Sequence, residues 1–218
     1  HIQKTYSPEF RDQLMQKCQE QKVTLKSCLL SGYLYALSLL SIQKDLTVGL
    51  ISHRRPVKED ADKLLGCFLN SVPFRHDLKS KRTTWNKLVS NIDKELKELR
   101  GKDRFSLVEI SKHLDVSTSD KNPFFDTFFN YVDFHEVKTL MREENFQTNQ
   151  LQIEEKDFEM RHHARTNTFL DFNLSLTASE LSISAVQTRE FSGGHTLDQL
   201  VKYFDNFLQQ YITQGEEV

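Results

Sequence analysis

His162 and His163 are adjacent in the sequence, and this pair is the first feature whose residue types could perform chemistry. Some acyl-transferring enzymes use the arrangement His-His-x-x-x-Asp-Gly, in which a histidine acts as a base or positions the attacking group. That arrangement needs aspartate at position 167 and glycine at position 168. The chain has Asn167 and Thr168 instead, so the surrounding elements must decide whether the pair is only a polar strand end.

The three cysteines, Cys18, Cys28 and Cys67, are odd in number and far apart in the sequence. No pair has the Cys-x-x-Cys spacing, so the sequence predicts neither a metal site nor a disulfide framework. Reduced thiols are typical of proteins in a reducing compartment, and we expect a cytoplasmic location.

The composition of the chain excludes few classes of protein but argues against two kinds of partner. The 218 residues carry a net charge of −2, so nothing in the charge favours nucleic acid or an anionic membrane. The longest apolar run, residues 28–42, is short for a membrane span and contains Gly and Ser. We therefore predict a buried helix there and no membrane insertion. Because the chain begins with His1, we expect it to be a piece of a longer protein.

Helix start signals predict three of the helices. An N-cap side chain accepts a hydrogen bond from the first turn, and Ser, Thr and the Thr-x-x-Gln capping box do this well. The signals are Ser7 before Pro8, Thr24, and Thr196 with Gln199. Apolar residues at helical spacing predict a further helix over residues 85–99, and a shorter one follows at about 105–114.

Strand patterns account for much of the remainder. Residues 46–52 and 123–134 are rich in β-formers, whereas residues 67–78 are apolar but broken by Asn70-Ser71 and Pro73. Alternating polar and apolar residues predict a hairpin over 168–187. The element order β-α-α-β-β-α-α-β-β-β-β-α predicts an α+β fold, a two-layer sandwich with helices packed on one face of a mixed or antiparallel sheet.

Four segments share their order and spacing with a known enzyme family. They are LTVGLISHRRP (46–56), LLGCFLNSVPFR (64–75), TSDKNPFFDTFF (118–129) and TFLDFNLSL (168–176). In turn they resemble the V-G-x-x-x-x-x-R-P, I-G-x-F-V-N-T-x-P-x-R, R-D-x-S-x-N-P-L-F and F-D-L-x-L segments of nonribosomal peptide synthetase condensation domains. The resemblance runs from about residue 5 to residue 212.

This resemblance implies a mixed sheet and a division into lobes. Condensation domains have two lobes, both similar to chloramphenicol acetyltransferase, and their His-His-x-x-x-Asp-Gly motif lies in the first. Residues 1–218 resemble a single lobe, the C-terminal half, so the catalytic N-terminal lobe is absent from this chain. His162 and His163 fall where the family has a strand approach. We interpret them as structural or solvent-facing, and expect the lobe alone to be inactive.

The resemblance also implies a reaction and its partners. A condensation domain joins an acyl or peptidyl thioester on one carrier protein to an amine on another, which forms an amide bond in nonribosomal peptide or hybrid polyketide–peptide synthesis. Each carrier holds its group on a phosphopantetheine arm that enters a tunnel between the lobes. The expected partners are the N-terminal lobe and carrier proteins, and we expect no cofactor bound directly by this chain.

Two groups of residues are candidates for contacts in that tunnel. The tunnel-lining candidates are Asn70, Ser71 and Ser52. A side-chain amide can hold a carbonyl or amine without titrating, although Asn70 could equally satisfy local backbone in a strand break. The candidates for contacting the pantetheine phosphate or a carrier surface are His53, Arg54 and Arg55. The alternative for these three is a solvated charge run.

Three further polar positions are expected to have structural roles. Arg75 should pair with a carboxylate or pack its stem at the sheet edge. Asp171 should make an ion pair or hydrogen bond, and Asn122 before Pro123 should fix a turn.

One departure from the family supports an alternative function. The His-Gln-x-x-Pro-Phe-Glu segment has no counterpart in residues 101–114, where Arg104-Phe105-Ser106 stand in place of Pro-Phe-Glu. A non-catalytic module that docks carrier proteins is therefore one alternative. A lobe of an epimerisation or heterocyclisation relative is another, since FFNYVDF (128–134) is similar to the Phe-Asn-Tyr of epimerisation domains. A free-standing chloramphenicol-type acyltransferase is least favoured.

Two expectations concern the isolated lobe. By resemblance, residues 136–150 extend toward the first lobe, and they should be less ordered than the hairpin over 168–187. The face that meets the first lobe would lie open, so we expect the isolated lobe to self-associate.

Overall fold

The computed structural model describes residues 1–41, 43–53, 63–78, 83–116, 122–133, 168–177 and 180–213. Within these ranges one six-stranded sheet carries five α-helices. The strands are β1 (Ile2–Tyr6), β2 (Asp45–His53), β3 (Leu69–Asp77), β4 (Thr127–Asp133), β5 (Leu170–Leu176) and β6 (Leu181–Gln187). The helices are α1 (Pro8–Glu20), α2 (Leu25–Leu40), α3 (Trp85–Leu99), α4 (Leu107–His113) and α5 (Leu197–Thr213).

The sheet is mixed, which confirms the expectation from the resemblance. Its strand order is β1-β6-β5-β4-β2-β3, with β4 parallel to both β2 and β5 and the other pairs antiparallel. The predicted hairpin over 168–187 is confirmed as β5 and β6, which pair from Leu170↔Gln187 to Leu176↔Leu181. The predicted order places four strands in a row before the last helix, and the described residues contain three of them.

The predicted N-caps are confirmed by their hydrogen bonds. The Ser7 hydroxyl accepts from the Phe10 amide at 3.2 Å, and the Thr24 hydroxyl accepts from the Ser27 amide at 3.2 Å. At the start of α5 the capping box of Thr196 and Gln199 is closed in both directions, at 3.0 and 3.2 Å. Each cap satisfies amides that the first turn of a helix leaves without an internal partner.

The core lies between the sheet and the helix layer. Along β5, Leu170, Phe172, Leu174 and Leu176 are all buried, and they alternate with half-exposed polar residues. Helix α2 is the central element of the other layer, and α5 crosses it closely at Gly32. A Cβ at Gly32 would lie 2.9 Å from Cδ1 of Phe207, so only glycine permits this approach. The result is the predicted two-layer α+β sandwich.

The apolar character of α2 reflects its burial in this layer. Among the described residues, no single helix is long and apolar enough to cross a membrane; α1 and α2 reach that length only together, and they meet at 105°.

The predicted break in residues 67–78 is wrong. Strand β3 runs without interruption through Asn70, Ser71 and Pro73. Proline is tolerated because β3 is the outermost strand among the described residues, where a missing amide costs no bond to a further described neighbour. Beside it, Arg75 holds the carboxylate of Asp45 through two hydrogen bonds of 2.9 and 2.6 Å, which confirms its expected pairing.

The first strand is joined to the last helix by one carboxylate. Asp205 on α5 accepts a hydrogen bond from the Tyr6 hydroxyl at 2.5 Å and forms an ion pair with Lys4 at 2.6 Å. Burial, together with the charge and hydrogen bond of Asp205, raises the pKa of Tyr6, so the phenol remains a donor. This contact fixes β1 and α5 together across almost the full length of the chain.

Candidate functional site

The carboxyl end of β2 and the amino end of β3 bring two of the predicted tunnel-lining residues side by side. Ser52 pairs directly with Asn70 in the antiparallel register. Because side chains alternate along a strand, both share the helix-covered face with the buried pair Leu50 and Val72. Both are half-buried at the rim of the core.

Both side chains bind the loop between α3 and α4, residues 100–106. The amide Nδ2 of Asn70 donates to the carbonyl oxygens of Asp103 at 2.9 Å and Phe105 at 3.0 Å. The Ser52 hydroxyl donates to the carboxylate of Asp103. Asn70 thus satisfies backbone groups, as one of its two interpretations predicts, but they belong to a loop more than thirty residues away rather than to a strand break.

A lysine adds positive charge to this cluster. Burial lowers the pKa of Lys26, at the start of α2, and the nearby Arg100 lowers it further, while Asp103 acts in the opposite direction. Asp103 therefore accepts a hydrogen bond from Ser52 and favours the charged form of Lys26, which Arg100 disfavours. We name Lys26, Ser52, Asn70, Arg100 and Asp103 the rim cluster.

The other predicted site residues are not brought into the rim cluster. Ser71 pairs with Ile51 and lies on the opposite face of the sheet from Asn70, half-buried. His53 closes β2, where its backbone pairs with Leu69. Arg54, Arg55, the pair His162-His163 and residues 136–150 lie outside the described residues.

Three of the four motif-like segments meet at one point of the sheet. Gly49 of β2 pairs with Pro73 of β3, and the ring of Phe125, which precedes β4, packs against Gly49. A Cβ on Gly49 would lie only 2.4 Å from Cε2 of that ring. The glycine is required because an aromatic ring occupies the space of its side chain. The side-chain Oδ1 of Asn122 accepts a hydrogen bond from the Phe124 amide at 3.0 Å, which confirms the predicted turn.

A buried carboxylate that sequence reasoning missed lies close to the rim cluster. Asp93 on α3 is only 3% exposed. It accepts hydrogen bonds from the amide and hydroxyl of Thr24 at 3.0 and 3.1 Å, from the Ser27 hydroxyl at 2.6 Å, and from Lys97 at 2.5 Å. Burial alone raises the pKa of Asp93, but these donors, led by Lys97, outweigh it and lower the pKa to about 2. The sequence did contain a signal for this burial: Asp93 follows Trp85 and Val89 in steps of four, which places it on the buried face of α3.

Two further titratable groups of the described part of the chain, His76 and Asp171, have structural partners. Nδ1 of His76 lies 2.8 Å from Glu95, and the Thr168 hydroxyl donates to Asp171, as expected for a structural carboxylate. Cys18 and Cys28 are buried thiols, and Cys67 is exposed. Across the described ranges, no three His, Cys, Asp or Glu side chains come together as metal ligands.

Comparisons with known proteins agree with this architecture. The family model of the condensation domain matches residues 1–218. Tyrocidine synthase 3 of Brevibacillus parabrevis is 26% identical over 209 residues, covering 94% of this chain and 3% of that protein. The condensation domain from Monacolin K polyketide synthase MokA has a TM-score of 0.73 at 15% identity, covering 99% of this chain and 47% of that one. The first condensation domain of the CDA synthetase has a TM-score of 0.68 at 14% identity, covering 100% and 46%.

The chain therefore belongs to the condensation domain family, and its fold is that of condensation domains of known structure. It spans about half the length of the solved condensation domains that it matches, and a far smaller share of the synthetase.

Proposed function

We propose that this chain is the C-terminal lobe of a condensation domain, and that it lines part of the tunnel in which carrier-bound substrates form an amide bond. The observation that carries the proposal is coverage. The family model matches the whole chain, yet the chain corresponds to only 46–47% of the two solved condensation domains. One lobe of two accounts for both values.

The meeting of the motif-like segments supports the same proposal. Gly49, Pro73 and Phe125 come from three segments that resemble family motifs, and they lie in contact across β2, β3 and the start of β4. The resemblance is therefore reflected in packing that only a specific arrangement of strands can produce.

In the proposed reaction the acceptor amine attacks the thioester carbonyl of the donor. A C–N bond forms, the C–S bond breaks, the thiol of the donor arm leaves, and the amine loses a proton. This lobe would hold the two arms and exclude water, which contributes by proximity and orientation. The histidine motif would come from the other lobe. Phosphopantetheine enters with the carriers as the tether of the substrates, so no resident cofactor is needed.

An amide-formation assay with loaded carriers tests the proposal. The purified chain, mixed with a donor and an acceptor carrier, should give no carrier-bound amide product by mass spectrometry. The complete synthetase that contains this chain should give that product with the same carriers. Condensation by the chain alone would refute its assignment as a lobe that lacks the catalytic motif.

A second candidate function is a non-catalytic module that docks carrier proteins. The observation that favours it is Arg104-Phe105-Ser106 in place of Pro-Phe-Glu. The same assay separates the two candidates, because a docking module would leave the complete synthetase able to bind carriers but unable to form the amide at this domain.

A further inference from the structure

Asn70 is a predicted tunnel-lining residue, yet both protons of its amide are used within the protein. They point to two carbonyls of the loop of residues 100–106, those of Asp103 and Phe105. We infer that Asn70 is a positioning residue, which fixes this loop against the end of the sheet and thereby sets the place of the exposed Phe105 side chain. The positioning stands on the geometry alone; its effect on turnover rests on the proposed function.

The amide chemistry of Asn70 suits this task. A single NH₂ group has two donors, and here they reach carbonyls two residues apart at 2.9 and 3.0 Å, so the loop curves around one nitrogen. A serine or threonine hydroxyl has one donor and cannot hold both carbonyls. An aspartate has the same shape but offers only acceptors, which would face two carbonyl oxygens.

The loop of residues 100–106 is also anchored at both ends, so Asn70 holds the part between the two anchors. The Lys102 amide donates to the Leu99 carbonyl at 2.9 Å, which continues the end of α3. At the far end, the Ser106 amide donates to Glu109 at 2.7 Å within the capping box of α4. Ser52 fixes the Asp103 side chain. Between these anchors, the side-chain amide of Asn70 holds the loop backbone to β3.

The consequence of this clamp is an apolar side chain held at the surface. Phe105 is 54% exposed although its carbonyl is fixed, so its ring projects from a stationary backbone. An exposed aromatic ring on a fixed backbone is ready to make a contact without losing further backbone entropy. Within the proposed function, that contact is with the acyl group or arm of a substrate.

The positioning is tested by hydrogen exchange on the 218-residue chain. Asn70→Asp should make the amides of residues 101–106 exchange at least tenfold faster, and trypsin should cut faster after Lys102 and Arg104. The hairpin over 168–187 should keep its protection, which shows that the fold is intact. Ser71→Ala is the matched control, because its side chain lies on the other face; it should leave the loop unchanged. If the amides of residues 101–106 in Asn70→Asp exchange at rates within twofold of those in wild type, the inference is overturned.

If Asn70→Asp also exposes the hairpin, the milder Asn70→Ser carries the test. It keeps one donor, and it should loosen the loop while the hairpin stays protected. A loop as protected as in wild type in this variant would likewise contradict the positioning role.

The effect on turnover is measured in the complete synthetase, per folded enzyme. Asn70→Asp and Phe105→Ala should each lower kcat for amide formation at least tenfold, with KM for the acceptor carrier within about twofold. The double variant should be no slower than the slower single variant, since both act through one loop. Additive losses would show that Asn70 acts independently of Phe105. Absence of amide formation in the wild-type enzyme would remove the proposed function but leave the exchange result standing.

Discussion

At Asp93, one carboxylate joins the beginning of α2 to the middle of α3. Its donors come from Thr24 and Ser27 on one helix and from Lys97 on its own helix. A buried carboxylate with this many donors is stabilised as the anion, so its charge is part of the fold. The loss of that charge should therefore be visible as a dependence of stability on pH.

We predict that Asp93→Asn lowers the free energy of unfolding by about 2 kcal/mol at pH 7. The pKa is 3.8 for an ordinary aspartate and about 2 in the folded chain, so the carboxylate's contribution is complete above about pH 4. It is lost as the pH falls through about 2, because the folded state then binds the proton too. Urea unfolding at pH 7, 5, 4 and 3 should show the difference between wild type and variant narrowing in the acidic range.

The control for this prediction is Glu98→Gln. Lys94 and Glu98 form an exposed pair at 3.9 Å on the same helix, and such pairs contribute little. This variant should follow wild type within about 0.5 kcal/mol at every pH. A difference between Asp93→Asn and wild type that stays constant from pH 7 to pH 3 would contradict the linkage.

At the scale of elements, the contact of Gly49 with Phe125 determines how β2 meets the segment before β4. We predict that Gly49→Ala destabilises the chain by about 1–3 kcal/mol, because the new methyl group would lie 2.4–2.7 Å from three atoms of the ring. The measurement is urea unfolding at neutral pH. Phe125→Leu alone should destabilise through lost packing, and the double variant should be more stable than the sum of the two losses predicts. Simple additivity would show that the ring is not the obstacle.

The sequence predicted these elements best where the signal was local. Ser7, Thr24 and Thr196 are N-caps because a single side chain satisfies an amide three residues away, and no distant contact is needed. The hairpin of β5 and β6 follows for a similar reason, since its alternation and turn lie within twenty residues. Local patterns contain enough information for such elements.

Strand β3 shows where local patterns were insufficient. Asn70, Ser71 and Pro73 are poor strand formers, but the edge position tolerates the proline and the loop of residues 100–106 accepts the hydrogen bonds of the asparagine. Neither fact can be derived from residues 67–78 alone. The parallel pairing of β2 with β4 joins Gly49 to Phe128, and hydrophobic alternation does not specify such a partner.

The candidate site was predicted in part for the same reason. Asn70 was recognised by type, because a polar residue in an apolar run requires a partner, and Ser52 was named with it as a tunnel-lining candidate. Their partner Asp103 was missed, since it lies in a loop with no local pattern of its own. Opposite faces for Asn70 and Ser71 would have followed from a correct strand assignment, because adjacent residues in a strand alternate.

For the whole molecule, the exposed apolar residues of α4 and its flanks are the relevant surface. Phe105, Val108 and Leu114 are 54%, 55% and 61% exposed. We expect the isolated chain to self-associate through them, since exposed apolar surface of this kind favours contact with a second copy. Sedimentation velocity over a range of concentrations should show association that weakens at least tenfold in the double variant Val108→Lys, Leu114→Lys.

The matched control for association is Met15→Lys. Met15 lies on α1 and is 40% exposed, so the substitution adds one lysine on a helix other than α4, against two in the double variant. It should leave association unchanged. Equal weakening by both changes would indicate a general effect of charge, and a chain that remains monomeric at every concentration would contradict the expectation.

Within the proposed function, the bonds of Asp205 to Tyr6 and Lys4 have a practical consequence for exchanging lobes between synthetases. Residues 201 and 199 positions apart in the sequence meet at one corner of the described fold, so β1 is part of that fold and not a connection leading into it. If the junction for a lobe exchange falls after Tyr6, β1 comes from a different parent. Asp205 then keeps its hydrogen bond and ion pair only if that parent also has suitable donors at positions 4 and 6. A junction upstream of Ile2 transfers β1 together with Asp205, so the carboxylate keeps both of its donors, Lys4 and Tyr6.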